Sequence, residues 1–430
     1  MAACVNVLVV GLLCLLAISA SAQYPDSPSS PDSYPSPGSN PSPSSPYGYS
    51  FPGSLDEYEG PEGGGVPLPP TTLTCKDTDG KRPGCSSACP DRCPQQCVVL
   101  CPGCKTFCHD QVKPPPKPVP PPAMFVFGDG VLDVGNNVYL PTIGTGEAPQ
   151  VSESSSGRFS NGANLADTIA MTFGFEQSPP AYMSLNGGLK MWGANYASAG
   201  AGIKNSTNGE RSISLPKQLE QFNATRAQMG AKLGGDAKLR ELLSKSVFLL
   251  SIGSQDLNPR WNPRTEDHPQ GSVIRELAEL YMDAVRSLYD MGARKVAIVN
   301  TGHIGCMPET RNYVCDQSQN DINAEFSQAL PSFIPSVSSE KAGFSYSIGD
   351  FYGFATDVFA DPTAFGIKNT QESCKGWGMP GPTCYKTDDY WFWDTEFITE
   401  HAAKLTAAAF YYGPSYYTEP ITFKALLEKK

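Results

Sequence analysis

The sequence predicts an α/β protein in which a parallel sheet is covered on both faces by helices, a three-layer α/β/α arrangement, and three observations predict it. Short β-rich apolar runs alternate with segments whose apolar residues recur at spacings of three and four, the pattern of strands joined by covering helices. Each run ends in polar or glycine-rich punctuation, GDG, GSQD, NTGHIG and GDFYG, which suits loops at the carboxyl edge of a parallel sheet. No internal repeat interrupts the alternation.

The expected strands are 123–127, 247–252, 295–299 and 344–348, and the expected helices are 163–172, 272–291, 322–333 and 399–410. The domain they build is expected over 123–420, with 421–430 as a C-terminal tail.

Ahead of that domain the composition changes repeatedly. Residues 1–22 form an apolar run ending in Ala20-Ser21-Ala22, the small-x-small pattern of a signal peptide cleaved after Ala22, and the run is short for a span that needs about 20 apolar residues. Removing a leader that carries Cys4 and Cys14 leaves an even number of cysteines, which suits an oxidising secretory route. Residues 23–72 are Pro, Ser, Gly and Tyr with few aliphatics, too little apolar surface to offset the entropy of folding, so a disordered, PPII-rich spacer is expected.

Residues 73–110 hold Cys75, Cys85, Cys89, Cys93, Cys97, Cys101, Cys104 and Cys108 with almost no apolar core, which calls for disulfide stapling in an unknown pairing. The alternative there is zinc on Cys101, Cys104 and His109, since thiolates at such spacing hold that metal. In an oxidising compartment disulfides are preferred, and no metal or cofactor is assigned. Residues 111–122, VKPPPKPVPPP and the flanking positions, form a stiff polyproline linker.

The formal charge is -11, and Asp26, Asp32, Asp56, Glu57, Glu59 and Glu62 supply over half of it from the tail. No basic block is present, which argues against nucleic acid and anionic membrane as partners. After the leader no stretch is apolar enough to form a transmembrane segment, and nothing sets an oligomeric state.

The block FVFGDGVLDVGNN, residues 125–137, resembles the opening FGDSxxDxGNN of plant GDSL esterase/lipases, members of the SGNH hydrolase superfamily. Five further blocks follow in family order: GRFSNGANLADTIA from 157, WGANYASAGAGI from 192, SIGSQDL from 251, GCMPETR from 305 and WDTEFITEHAA from 393. The Ser-Pro repeats of the tail resemble hydroxyproline-rich cell-wall glycoproteins, and the cysteine-rich segment is similar to modules of plant secreted proteins.

The family resemblance implies an SGNH fold and acyl-ester chemistry. Such chemistry needs a serine at the end of the first strand, a histidine base, an aspartate that orients it, and donors for the oxyanion. By this resemblance the serine position holds Gly130, the base position Phe397 and the donor asparagine position Gln255, while Gly193 and Asp394 keep a backbone donor and an orienting carboxylate. Glycine offers no hydroxyl and phenylalanine accepts no proton. Losing a nucleophile or its base alone costs on the order of a millionfold in a serine protease.

His303, in a strand-end loop, and His401, about 6 Å along the helix from Phe397, are the candidate substitutes. Asp129, Asp133, Asp256 and Asp394 either hold a cation or do acid–base work at the rim, or take hydrogen bonds from turns, as they would in active relatives. Cys306 with Cys315 and Cys374 with Cys384 are the expected loop disulfides. Asn205 and Asn223 open N-glycosylation sequons expected on surface loops.

These readings describe a secreted plant-type glycoprotein, catalytically inactive, that binds a lipid, an acyl ester or an acetylated or cell-wall polysaccharide. The alternatives are a weak or atypical ester hydrolase, and a wall-matrix structural protein whose large domain is scaffold.

Overall fold

The structure is a computed structural model that describes residues 72–75, 85–89, 97–100, 105–108, 118–141, 156–258, 269–311, 313–376 and 382–429. The expected leader, the Pro/Ser-rich tail apart from residue 72, most of the linker, and Cys101, Cys104 and His109 lie outside the described residues.

In the cysteine-rich segment β1 (Thr72–Cys75) pairs antiparallel with β2 (Cys85–Ala88), and β3 (Cys97–Leu100) with β4 (Lys105–Cys108). The registers set Cys75 opposite Cys85 and Cys97 opposite Cys108. Cys89, just after β2, is buried and disulfide-bonded.

The large domain runs β5 (Met124–Gly128), α1 (Leu165–Thr172), β6 (Gly193–Asn195), α2 (Leu215–Leu233), α3 (Asp236–Lys245), β7 (Val247–Ser251), α4 (Ser254–Leu257), α5 (Gln270–Asp290), β8 (Lys295–Val299), α6 (Gln317–Glu340) and β9 (Ser345–Gly349). It closes with α7 (Phe351–Ala360), β10 (Asn369–Ser373), β11 (Tyr390–Phe392), α8 (Glu400–Tyr412), β12 (Thr418–Glu419) and α9 (Phe423–Glu428). The sheet order is β12-β9-β8-β7-β5-β6, parallel except for β12, and β10 and β11 form a separate parallel pair.

Strand side chains alternate between faces, and the buried residues divide accordingly. Phe125, Phe127, Phe248, Leu250, Val296 and Ile298 pack under α2, α3, α5 and α6. Met124, Val126, Val247, Leu249, Ala297 and Val299 pack under α1, α7, α8 and α9. Because both faces are covered, these strands read as continuous apolar runs, which is why they were legible before the edge strands.

The segment expected as a C-terminal tail, 421–430, differs: Phe423 and Leu426 on α9 are fully buried in the second core, so the domain extends past residue 420. The helix expected to end at 333 continues to Glu340 through Pro331 and Pro335, with Ile334 buried between the prolines and Val337 beyond them. Tertiary burial there outweighs the cost of a missing helix hydrogen bond.

The chain leaves β5 for β6 on one side and returns to β7 on the other. Strand order therefore reverses at β5, and a crevice is expected outside its carboxyl end. Among the described residues no helix is long and apolar enough to cross a membrane.

Candidate functional site

At the end of β5 the backbone turns sharply at Gly128, whose φ is 155°. A side chain there would meet the Ser251 carbonyl oxygen at 2.2 Å, so only glycine lets β5 and β7 approach. Buried Gln218 from α2 pins this turn like a neighbouring strand: it accepts from the Gly128 N–H and donates to the Gly128 carbonyl, each at 2.8 Å.

The turn delivers Asp129 and Gly130 to a cavity of about 450 Å3, which Ser254, Gln255, His303 and Phe397 also line. Five of the residues singled out from the sequence therefore converge: Asp129, Gly130, Gln255, His303 and Phe397. A side-chain carbon built on Gly130 would lie 2.5 Å from Cε1 of Phe397, whose ring packs tilted against that of Phe159 with centroids 4.8 Å apart. Trp391, Phe392, Phe351 and Phe359 extend the aromatic wall, and Asn208 and Arg211 stand on another side. Among the described residues the N–H groups of Gly130 and Gly200 and the carboxamide of Gln255 meet no hydrogen-bond partner.

Asp394 points at the loop that carries Phe397. Its Oδ1 accepts from the N–H of Glu396 at 3.0 Å and of Phe397 at 2.8 Å, and burial pushes its carboxyl pKa up. Here the carboxylate fixes a turn rather than an imidazole.

Asp129 is buried and accepts the Ser254 hydroxyl at 2.7 Å; burial pushes its carboxyl up to about 6. Asp133 accepts from the N–H groups of Gly135, Asn136 and Ala199 at 2.7, 2.8 and 2.9 Å, and Asp256 from Ile203 N–H at 2.8 Å and the Thr207 hydroxyl at 2.7 Å. Burial raises both to about 6. These three carboxylates hold the strand-end loops in place, and no cluster able to hold a metal ion occurs among the described residues.

His303 stacks on Tyr352 at 3.9 Å, with Nε2 placed 2.8 Å from Thr356 Oγ1 and 3.2 Å from the Tyr352 carbonyl oxygen. A carbonyl only accepts, so the proton belongs on Nε2 and Nδ1 is a bare acceptor, buried without a partner. Burial lowers its pKa, favouring the neutral ring.

Asp133, Asp256 and Asp394 do not line the cavity, and neither do Gly193 and His401. Gly193 opposes Met124 at the start of β5, at the far end of the sheet, and its N–H donates to the Lys190 carbonyl at 3.2 Å. Gly200, which follows β6 at the carboxyl edge, lines the cavity instead. His401 faces the turn ahead of β10, with Nε2 3.7 Å from where a side chain on Gly366 would begin, and burial lowers its pKa. Ser254, Phe159 and Arg211 were not singled out in the sequence, because their roles rest on long-range contacts.

Cys306–Cys315 and Cys374–Cys384 are bonded as expected. Asn205 and Asn223 are both exposed, but Asn223 lies within α2 and not on a loop.

Known proteins resemble this chain in sequence. A family model described as GDSL-like Lipase/Acylhydrolase matches residues 124–410. A GDSL esterase/lipase of Arabidopsis thaliana is 32% identical over 313 residues, 67% of this chain and 85% of that protein. GDSL esterase/lipase 1 of the same plant is 29% identical over 343 residues, covering 71% and 90%. Among solved structures, a catalytic mutant of the acetylxylan esterase Axe2 from Geobacillus stearothermophilus aligns over 68% of this chain and 94% of that one, with 10% identity and a TM-score of 0.33.

Proposed function

Because the chain belongs to the GDSL-like lipase/acylhydrolase family, we propose that it is a secreted member whose cleft binds a lipid, an acyl ester or an acetylated sugar without cleaving it. The observation that carries this reading is the pairing of Gly130 with Phe397. The position the family uses for a nucleophile has no hydroxyl, and an aromatic edge stands where a side chain would begin. A base is missing at the same place, and Asp394 is committed to backbone N–H groups. The aromatic wall supplies apolar area for an acyl chain or a sugar face, and the Pro/Ser-rich tail serves as the tether.

The test is ester hydrolysis by the purified chain beside a Gly130→Ser, Gln255→Asn, Phe397→His variant, with calorimetry of both against acyl and acetylated-sugar ligands. Binding without turnover in the unmodified chain, and turnover in the variant, is expected. Covalent labelling of the unmodified chain by an organophosphonate inside the cleft would overturn it. A second reading, slow hydrolysis by water with neutral His303 as base, rests on its place in the cavity lining and its lowered pKa and predicts turnover that His303→Ala abolishes.

A further inference from the structure

A second cavity, of about 390 Å3, opens at the opposite, amino-terminal edge of the sheet, where the end of α5 meets α2 and α3. Three guanidiniums line it: Arg226 from α2, Arg240 from α3 and Arg294 from the residue preceding β8. Two acids share the rim, but each is engaged elsewhere, Glu241 with Lys245 at 2.8 Å and Asp290 with Lys341 at 2.9 Å. Among the described residues none of the three arginines has a carboxylate within ion-pair distance.

Two of them are held in place. Arg294 lies 3.8 Å over the Tyr289 ring and donates from Nη1 to the carbonyls of Tyr289 and Ala293 at 3.0 and 2.7 Å. Arg226 donates from Nη1 to Asn223 Oδ1 at 3.1 Å, while its Nε is buried without an acceptor. Arg240 is exposed on α3. Three like charges gathered round one cavity repel, and a buried donor without an acceptor is costly; an anion relieves both. One carboxylate brings a single charge and two oxygens, too few for three planar forks, whereas a tetrahedral dianion offers more of each.

We propose that this cavity binds a phosphate or sulfate group, either as the free ion or carried on a small molecule. It is remote from the cleft at β5, so its test is independent of the reading given to that cleft.

The full chain is titrated calorimetrically at low ionic strength with inorganic phosphate, sulfate, acetate and glucose 6-phosphate. Phosphate and sulfate are expected to bind saturably and more tightly than acetate, and added salt weakens them. Arg240→Ala, which removes an exposed side chain with no hydrogen bond or ion pair among the described residues, and Arg226→Gln each weaken phosphate by about tenfold or more, with an unchanged unfolding midpoint for Arg240→Ala. Arg211→Ala, at the other cavity, leaves phosphate binding as it was. Equal affinity for phosphate and glucose 6-phosphate assigns the site to the free ion, and tighter sugar phosphate binding assigns it to an ester. Absence of phosphate and sulfate binding, acetate binding as tightly, or affinity unmoved by Arg240→Ala and Arg226→Gln overturns the proposal.

Discussion

A side-chain carbon on Gly130 would lie 2.5 Å from Cε1 and 2.6 Å from Cζ of Phe397, closer than any two such atoms can pack. The two positions therefore share one volume. Gly130→Ser alone is expected to lose about 1–3 kcal/mol by overpacking. Phe397→His alone gives up contact with Phe159, and the double variant should cost less than the two singles added. Urea unfolding of all four proteins reads the coupling; additivity within about 0.5 kcal/mol would mean that the side chains do not compete for space.

That coupling explains what the sequence could and could not show. The strands β5, β7, β8 and β9 were legible because burial on both faces makes them apolar throughout, and the exchanges at 130, 255 and 397 because each sits in a recognisable block. Which glycine stands beside the cavity depends on which end of β6 it occupies, and residue spacing alone does not fix that. The role of α9 was hidden because Phe423 and Leu426 are a short apolar pair whose partners lie far away in the chain.

Gly193 and Gly200 separate structure from site. At Gly193, φ is 118° and a side-chain carbon would fall 1.7 Å from the Met124 carbonyl oxygen, so Gly193→Ala is expected to cost at least about 2 kcal/mol or to prevent folding. At Gly200 φ is 78°, near the left-handed well that a side chain enters at smaller cost, and the nearest atom is the flexible Asn208 side-chain amide at 2.9 Å, which donates to the Gly200 carbonyl. Gly200→Ala should therefore destabilise less while weakening ligands of the cleft. Denaturation and calorimetry on the pair decide; equal losses of stability would remove the distinction.

The Asp394 carboxylate is expected to act on the fold rather than on chemistry. Asp394→Ala leaves the N–H groups of Glu396 and Phe397 without their acceptor and should cost about 1.5–3 kcal/mol, the range for hydrogen bonds to a charged group. Asp394→Asn keeps an acceptor oxygen and should lose less than half as much. The same loss in both variants, measured by thermal unfolding, would show that the acceptor is not what matters.

The buried carboxylates set a pH dependence of definite sign. Asp129, Asp133 and Asp256 titrate near 6 in the folded chain because burial disfavours their charged forms, against about 3.9 when unfolded. Between those values the folded state holds more protons, so their contribution is complete below about pH 4 and is lost as pH rises through about 6. His303 and His401 act the other way: burial lowers both, so their contribution is present above about 6.5 and declines as pH falls. Asp129→Asn isolates one group, since an amide can still accept the Ser254 hydroxyl. The unfolding free energy of the unmodified chain relative to this variant should fall by on the order of 1–3 kcal/mol from pH 4.5 to pH 7.5. Parallel stability curves across that range would show that Asp129 is not held neutral by its burial.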